Sequence, residues 1–144
     1  MTTTEQGDTK KQVPFVTCIK IPSSPSEKPH LVGMRCRACK SVFLDEREVC
    51  AKCSKVKDFE EIALSTIGEL WTFTIVHQSA PGVLVPYVAG IVDLPEGVSV
   101  SSKIVGVEAS PDAVKMGMKV QLELFKVRTN SKGEDVMAYQ FRPV

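Results

Sequence analysis

The sequence predicts a mainly β protein in which a small metal-binding ribbon precedes a five-stranded barrel. Two observations support this prediction. Two closely spaced cysteine pairs lie within residues 36–53, and five apolar runs of strand length, separated by turn residues, fill most of residues 71–141. A chain of 144 residues suits one ordinary domain or two small modules. We therefore expect an extended N-terminal arm at residues 1–30, the ribbon at 31–60 and the barrel at 61–144.

The N-terminal arm combines a short apolar stretch with a proline-rich tether. Residues 13–21 are too few to fold alone, and three prolines lie between residues 22 and 29. Proline fixes φ and lacks an amide donor, so the tether should be extended. We expect the apolar stretch to pack on its own chain or on a partner, and we favour its own chain. Cys18 is interpreted as a small buried apolar residue of the arm, because no base is placed beside it.

The ribbon contains two Cys-x-x-Cys pairs with ten residues between them. Each pair can form a tight turn that presents two sulfurs, and two such turns complete a closed tetrahedral site with no position for a catalytic water. Soft thiolates favour zinc or iron, and zinc is the expected ion over a rubredoxin-type iron. The predicted ligands of this single structural ion are Cys36, Cys39, Cys50 and Cys53. The main apolar residues between the pairs are Val42, Phe43, Leu44 and Val49. They are too few to fold the ribbon without metal.

Charge is unevenly distributed along the chain. The whole chain has a formal charge of +1, which gives no general attraction to polyanions or membrane surfaces. Residues 28–58, however, contain eight basic and four acidic side chains. This basic segment is either a docking surface for an anion or compensation for the two excess negative charges of a divalent ion bound by four thiolates.

The region after residue 60 is predicted to form five strands. In the first strand, Trp71, Phe73 and Ile75 alternate with residues of the opposite face, the period of a half-buried strand. The other four apolar runs are residues 87–94, 98–107, 118–127 and 136–141. Gly97 and residues 130–133 lie in predicted turns between them.

One short helix is predicted between the third and fourth strands. Ser110 can cap it, Pro111 suits its first position and Gly117 can end it. A single short helix at this place among five strands is the layout of an OB-fold, a partly open Greek-key barrel.

The order of these parts resembles a known family, the zinc-ribbon/OB-fold proteins that accompany acyl-CoA enzymes. The resemblance covers a rubredoxin-like zinc ribbon and an OB-fold over roughly residues 31–144. Its motifs are Gly68, Pro86-Tyr-Val-Ala-Gly90-Ile-Val-Asp-Leu94, Gly97, Gly117-Met-Lys-Val120 and Phe141-Arg-Pro143. In the family, glycine commonly follows each cysteine pair. This chain departs from that pattern, because it has Lys40 and Ser54 at these two positions.

The resemblance implies a non-catalytic subunit that docks on a thiolase-like partner in a hetero-oligomer and helps to hold or channel a coenzyme A thioester. The arm is similar to that of the small subunit of the thiolase that cleaves benzoylsuccinyl-CoA in anaerobic toluene breakdown. Independently of the resemblance, the sequence contains no recognisable catalytic constellation and no nucleotide-binding glycine loop. The two histidines, His30 and His77, form no recognisable catalytic set.

Contact residues for a partner or ligand are less defined. Val83, Leu84 and Val85 lie in the loop of residues 78–86, where they either form an apolar interface or pack over the barrel mouth. The cations considered for coenzyme A phosphates are Lys103, Lys115, Lys119, Lys126 and Arg128. Scattered cations of this kind usually form only a solvated face.

A single-stranded nucleic-acid-binding module is the main alternative, since both modules also occur in such proteins. OB-folds of that kind need exposed aromatic platforms and a basic groove. The region after residue 60 is net acidic and its core must use several of its aromatics, so nucleic acid is not the expected partner. A rubredoxin-like electron carrier and an independent enzyme follow as weaker alternatives. The absence of an 18-residue apolar run and of a visible secretory signal leads us to expect a cytoplasmic protein with reduced thiols.

Overall fold

In a computed structural model, which describes residues 11–22, 26–44 and 46–144, the chain is built from ten strands. They are β1 (Gln12–Pro14), β2 (Ile19–Lys20), β3 (His30–Cys36), β4 (Val42–Phe43), β5 (Phe59–Ala63), β6 (Ile67–Val76), β7 (Tyr87–Asp93), β8 (Ser99–Ile104), β9 (Lys119–Thr129) and β10 (Asp135–Pro143). The described segments contain no helix that is long and apolar enough to cross a membrane. Residues 1–10 and 23–25 of the predicted arm and Asp45 of the ribbon lie outside the described residues.

Strands β6 to β10 form the predicted five-stranded barrel. They follow the order β10-β8-β7-β6-β9, and β9 pairs with β10 again to close the circle. The closing contact between β8 and β10 is parallel, with Phe141 opposite Ile104, whereas the other barrel pairs are antiparallel. The barrel interior is filled by fully buried side chains, which include Leu70, Val92, Val100, Val120 and Phe141. The zinc-ribbon and OB-barrel fold class is confirmed.

The prediction of a short helix at residues 110–117 is wrong, because the chain forms a single hydrogen-bonded turn there. The Ser110 carbonyl accepts bonds from the N–H groups of Ala113 at 3.1 Å and Val114 at 3.3 Å. The Gly117 N–H then donates to the Leu70 carbonyl of β6 at 2.6 Å. Pairing with the edge of β6 therefore replaces the hydrogen bonds of a second helical turn.

Strand β6 also departs from its predicted pattern at one residue. The register with β7 shifts between Leu70 and Thr72, which marks a β-bulge. Leu70 is buried in the barrel, whereas the adjacent Trp71 is 61% exposed and Phe73 is half-buried. The placement of Trp71 on the face of Phe73 is wrong, because the extra residue of a bulge shifts the alternation of side chains.

The arm links the ribbon to the barrel. Strand β1 runs parallel to β10 with Val13 opposite Val136, and β2 pairs with β3 of the ribbon with Ile19 opposite Leu31. Cys18 and Ile19 are buried in the core, and Cys18 behaves as the expected small apolar residue. The apolar stretch at residues 13–21 thus packs on its own chain, the alternative that the sequence favoured. Within the ribbon, β3 also pairs with β4 and β5.

Candidate metal centre

The four ribbon cysteines converge on one point. Their sulfurs all lie within 4.8 Å of one another. The Sγ atoms of Cys36 and Cys53 are 3.6 Å apart, and those of Cys39 and Cys50 are 3.5 Å apart. Four sulfurs at about 2.3 Å from a tetrahedral zinc ion are about 3.8 Å apart, whereas bonded disulfide sulfurs are separated by about 2.05 Å. The cluster therefore has the spacing of a metal site, and its donor set fits zinc.

Each cysteine pair lies in a knuckle turn of the same construction. The Lys40 N–H donates to the Cys36 carbonyl at 2.8 Å, and the Ser54 N–H donates to the Cys50 carbonyl at 3.0 Å. Lys40 has a φ of 65° and Ser54 a φ of 64°. These angles lie in the left-handed region that favours glycine. Lys40 and Ser54 therefore carry side chains in a backbone conformation that favours glycine.

The protein environment favours some of the thiolates. Hydrogen bonds from the side chain and backbone of Ser41 lower the pKa of Cys39 to about 6. The Cys53 N–H, 3.5 Å from Cys50 Sγ, is the main group that lowers the pKa of Cys50. The Lys55 N–H favours a Cys53 thiolate, but desolvation and the neighbouring sulfurs outweigh it and raise the pKa of Cys53 to about 12. Four thiolates this close require a shared cation, which a divalent metal ion provides.

Ion pairs connect the base of the ribbon. Arg35 Nε lies 2.6 Å from Glu60 Oε1, and Arg37 Nη1 lies 3.8 Å from Asp58 Oδ1. The hydrogen bond from Arg35 lowers the pKa of Glu60. The charges of these two arginines are therefore neutralised within the chain. Lys52, Lys55 and Lys57, farther along the ribbon, have no ion pair with any described residue.

The histidines take no part in this centre. His30 begins β3 and Cys36 ends it, which places the two residues about 20 Å apart along an extended strand. His30 Nδ1 lies 3.2 Å from the Lys28 carbonyl oxygen, and His77 is exposed just after β6. In the described part of the chain, neither joins a cluster of ligating groups.

The cations considered for coenzyme A phosphates do not converge. Lys119 and Lys126 lie about 24 Å apart along β9. Their ammonium groups lie 3.7 Å from Glu69 and 3.4 Å from Asp135. Three further cations of this set have other surroundings: Lys103 is 5.5 Å from the centre of the Tyr87 ring, while Lys115 and Arg128 are exposed. These five residues form no common phosphate site.

A cleft of about 550 Å³ separates the knuckles from the turn between β7 and β8. Lys40 and Lys52 line it from the ribbon, and Glu96 and Gly97 line it from the barrel. Because cations and a carboxylate share its wall, the cleft favours neither sign of ligand charge.

The outer face of β7 and β8 offers little for stacking bases. This face binds oligonucleotides in many OB-folds. Its outward positions carry one aromatic residue, Tyr87, beside Ala89 and Ile91 of β7 and Ser101 of β8. Single-stranded nucleic-acid binders stack successive bases on several aromatic rings. The face therefore gives no support to the nucleic-acid alternative.

The loop between β6 and β7 is exposed, so it does not pack over the barrel mouth. Leu84 at its tip is 85% exposed, and Val83 and Val85 beside it are also exposed. Two features went unnoticed in the sequence: the contact between Ser65 and Glu96, and the exposure of Val49 and Val56 beside the second cysteine pair.

Comparison with known proteins agrees with this geometry. Residues 27–60 match the rubredoxin-like zinc ribbon domain of ChsH2, and residues 61–125 match its C-terminal OB-fold domain. A DUF35 domain-containing scaffold protein of Methanocaldococcus jannaschii is 33% identical over 121 residues, which cover 82% of this chain and 84% of that protein. The chain belongs to the DUF35 zinc-ribbon/OB-fold family. A zinc ribbon domain with four close cysteines supports a structural zinc site in this DUF35 protein.

Other relatives of this DUF35 protein are enzyme subunits. The benzoylsuccinyl-CoA thiolase subunit BbsA of Geobacter metallireducens is 27% identical over 145 residues, 97% of this chain and 95% of that subunit. The solved structure of an Ltp2-ChsH2(DUF35) aldolase superposes with a TM-score of 0.64 at 27% identity and covers 79% of this chain and 84% of that one. DUF35 zinc-ribbon proteins thus occur with thiolase and aldolase subunits.

Proposed function

We propose that this DUF35 protein is the non-catalytic, zinc-binding subunit of a thiolase or acyl-CoA acyltransferase complex. It docks on a thiolase-like catalytic subunit and helps to hold or channel the coenzyme A thioester. The supporting observation is the similarity to a thiolase subunit over 97% of this chain. In addition, the described residues contain one cluster with metal-binding geometry, the closed four-cysteine site, and such a site has no position for a reacting water. The reacting groups then belong to the partner.

In this proposal Cys36, Cys39, Cys50 and Cys53 hold one zinc ion, which folds the ribbon at residues 31–60 and takes no part in the reaction. The arm at 1–30 and the barrel at 61–144 complete the proposed division of the chain. The test is metal analysis of purified protein. One zinc per chain is expected for the wild type and for Cys18→Ala, since Cys18 lies in the core outside the cluster. Cys39→Ser should lose the metal, and a red protein that contains iron would contradict the assignment.

The finer proposal is that the thioester is benzoylsuccinyl-CoA, cleaved by coenzyme A during anaerobic toluene degradation in the cytoplasm. It is supported by two BbsA subunits, which are 27% and 29% identical to this chain. Because one relative accompanies an aldolase, the reaction class needs its own assay. Thiolysis consumes coenzyme A and forms a second thioester, whereas a retro-aldol cleavage leaves the amount of thioester unchanged.

The proposal is tested by isolating the tagged full-length chain from native cells at near-physiological salt. We expect a thiolase-sized subunit in fixed stoichiometry, identified by mass spectrometry, and thioester cleavage that depends on coenzyme A and needs both subunits. A chain that is isolated without any acyl-CoA enzyme would overturn the proposal. Salt-sensitive binding of a labelled single-stranded oligonucleotide by such a chain would point to the nucleic-acid alternative instead.

A further inference from the structure

The two zinc knuckles have different surroundings. Beside the first knuckle, Val42 and Leu44 pack against the core, and Arg35 and Arg37 are paired with carboxylates. Beside the second knuckle, Val49 is 50% exposed and Val56 is 61% exposed. The first knuckle is thus joined to the rest of the chain, whereas the second presents apolar side chains to solvent. We call residues 47–57 the second-knuckle finger.

The two exposed valines form one apolar spot. Val49 and Val56 face each other in an antiparallel bridge. The flanking bonds run from the Lys57 N–H to the Glu48 carbonyl at 2.6 Å and from the Cys50 N–H to the Lys55 carbonyl at 2.9 Å. This pattern makes the valines a non-hydrogen-bonded pair, in which the two side chains lie close together on the same face. The backbone bonds and the adjacent cysteine cluster hold this spot in a defined shape.

The spot is surrounded by positive charge. The finger contains four basic residues and one acidic residue. Two thiolates that share a divalent ion with the first knuckle offset one of these charges, which leaves a net charge of about +2. Arg47 lies over the Phe43 ring, with its guanidinium carbon 4.4 Å from the ring centre. Lys52, Lys55 and Lys57 are exposed and have no ion pair with any described residue.

We propose that the second-knuckle finger is a docking element that inserts Val49 and Val56 into an apolar patch, rimmed by acidic residues, on the catalytic partner subunit. This inference rests on the proposed function, since the partner is the thiolase-like subunit. Charge complementarity selects an acidic rim, because lysines at an interface edge accelerate and orient the association. The valine pair supplies the apolar centre of the contact, and the lysines form its polar rim. The zinc ion then contributes to docking by fixing the shape of the finger.

The experiment measures the dissociation constant of the zinc-loaded full chain for the isolated thiolase-like subunit at low and high salt. Val49→Ser with Val56→Ser should weaken binding roughly tenfold or more. Lys52→Glu with Lys55→Glu should weaken binding by a similar factor and reduce its salt dependence. Zinc content must remain at one ion per chain in each variant, which shows that the ribbon is intact.

Two matched controls lie on the barrel side of the molecule. Met116→Ser removes an apolar side chain that is 69% exposed, more than either valine, and Lys132→Glu reverses an exposed charge in the β9–β10 turn. Both controls should bind within about twofold of the wild type, because substitutions outside an interface have little effect on affinity.

The outcomes separate the two proposals. If the wild type binds no acyl-CoA enzyme subunit, the proposed function fails. If the wild type binds and the finger variants bind equally well, or only Met116→Ser loses affinity, the docking finger alone is overturned. Sedimentation of the chain without partner gives a further check. If the chain forms a dimer that dissociates when the valines are replaced, the finger binds a second copy of the chain. If the lysine variant loses only oligonucleotide binding, the finger binds a polyanion. Either result overturns the inference.

Discussion

The Glu96 carboxylate accepts two hydrogen bonds from Ser65, one from its N–H and one from its hydroxyl group, and both are 2.7 Å long. Ser65 lies between β5 of the ribbon and β6 of the barrel, and Glu96 lies in the turn between β7 and β8. The other carboxylate oxygen, Oε2, is buried and has no hydrogen-bond partner among the described residues. This single side chain therefore fixes the point where the ribbon enters the barrel.

Replacement of Glu96 should reveal this role. Hydrogen bonds to a charged group contribute about 1.5–3 kcal/mol each, so loss of both bonds in Glu96→Ala should lower the free energy of unfolding by about 3 kcal/mol. Glu96→Gln should cost less, because its amide oxygen can still accept from Ser65. Urea unfolding with zinc present measures both. The control is Glu108→Ala, an exposed carboxylate that should change stability by less than about 0.5 kcal/mol. Equal effects of the two alanine variants would contradict the role of Glu96.

Glycine at the two knuckle positions should stabilise the ribbon. Lys40 and Ser54 have φ values of 65° and 64°, where a residue with a side chain costs about 1–2 kcal/mol. Glycine removes this cost but adds about 0.4–1 kcal/mol of unfolded-state entropy. We therefore expect Lys40→Gly and Ser54→Gly to increase stability by about 0.5 kcal/mol each, with tighter zinc retention in a chelator competition. Lys55→Gly, at a residue with an ordinary negative φ, should decrease both. Weaker retention in the two knuckle variants would refute the argument from backbone strain.

The sequence was a good guide where local chemistry decides the structure. Cysteine spacing placed four sulfurs together, and five apolar runs separated by turn residues became the five barrel strands. It failed where a distant partner decides. The Ser110 turn ends early because Gly117 pairs with Leu70, which is 47 positions earlier in the chain. Trp71 is exposed because a bulge forms opposite β7, and a period-two pattern contains no signal for a bulge.

The sequence also could not tell which apolar residues of the ribbon are exposed. Val42 and Val49 look alike in the sequence as apolar residues between the cysteine pairs. Only the packing separates them, because Val42 contacts the core and Val49 is exposed. Hydrophobicity predicts which residues can be buried, but the number of places in a small core determines which of them are buried.

Two barrel glycines should tolerate alanine to different degrees. A Cβ atom at Gly68 would lie 2.8 Å from the carbonyl oxygen of Asp93 and 2.5 Å from Val92 Cγ1. At Gly90 the tightest contact is the flexible end of Leu70 at 2.6 Å, and the nearest backbone atom is Thr72 O at 3.2 Å. Overpacking in a core costs about 1–3 kcal/mol. We expect Gly68→Ala at or above the upper end of this range and Gly90→Ala at the lower end. Thermal unfolding gives the order, and a reversed order would show that the backbone at Gly68 can move.

The ion pair between Glu123 and Arg142 should give the barrel a defined acid sensitivity. Arg142 donates to both carboxylate oxygens, from Nε at 3.0 Å and from Nη2 at 3.1 Å, and Gln140 donates at 2.6 Å. The hydrogen bonds from Arg142 are the main cause that lowers the pKa of Glu123 below its usual 4.5. A carboxylate whose pKa is lower in the folded state contributes stability above its unfolded pKa. That contribution is lost as the pH falls through the folded pKa.

Glu123→Gln should therefore be less stable than the wild type near neutral pH, and this difference should shrink as the pH falls from about 6 to about 3.5. The comparison is made between the two proteins at each pH by urea unfolding, so that release of zinc from the ribbon by acid affects both alike. Glu134→Gln provides a matched control, because its carboxylate contacts Lys11 at 3.6 Å and has no arginine partner among the described residues. A difference between wild type and Glu123→Gln that stays constant over this pH range would mean that the substitution acts through packing and not through the charge of the carboxylate.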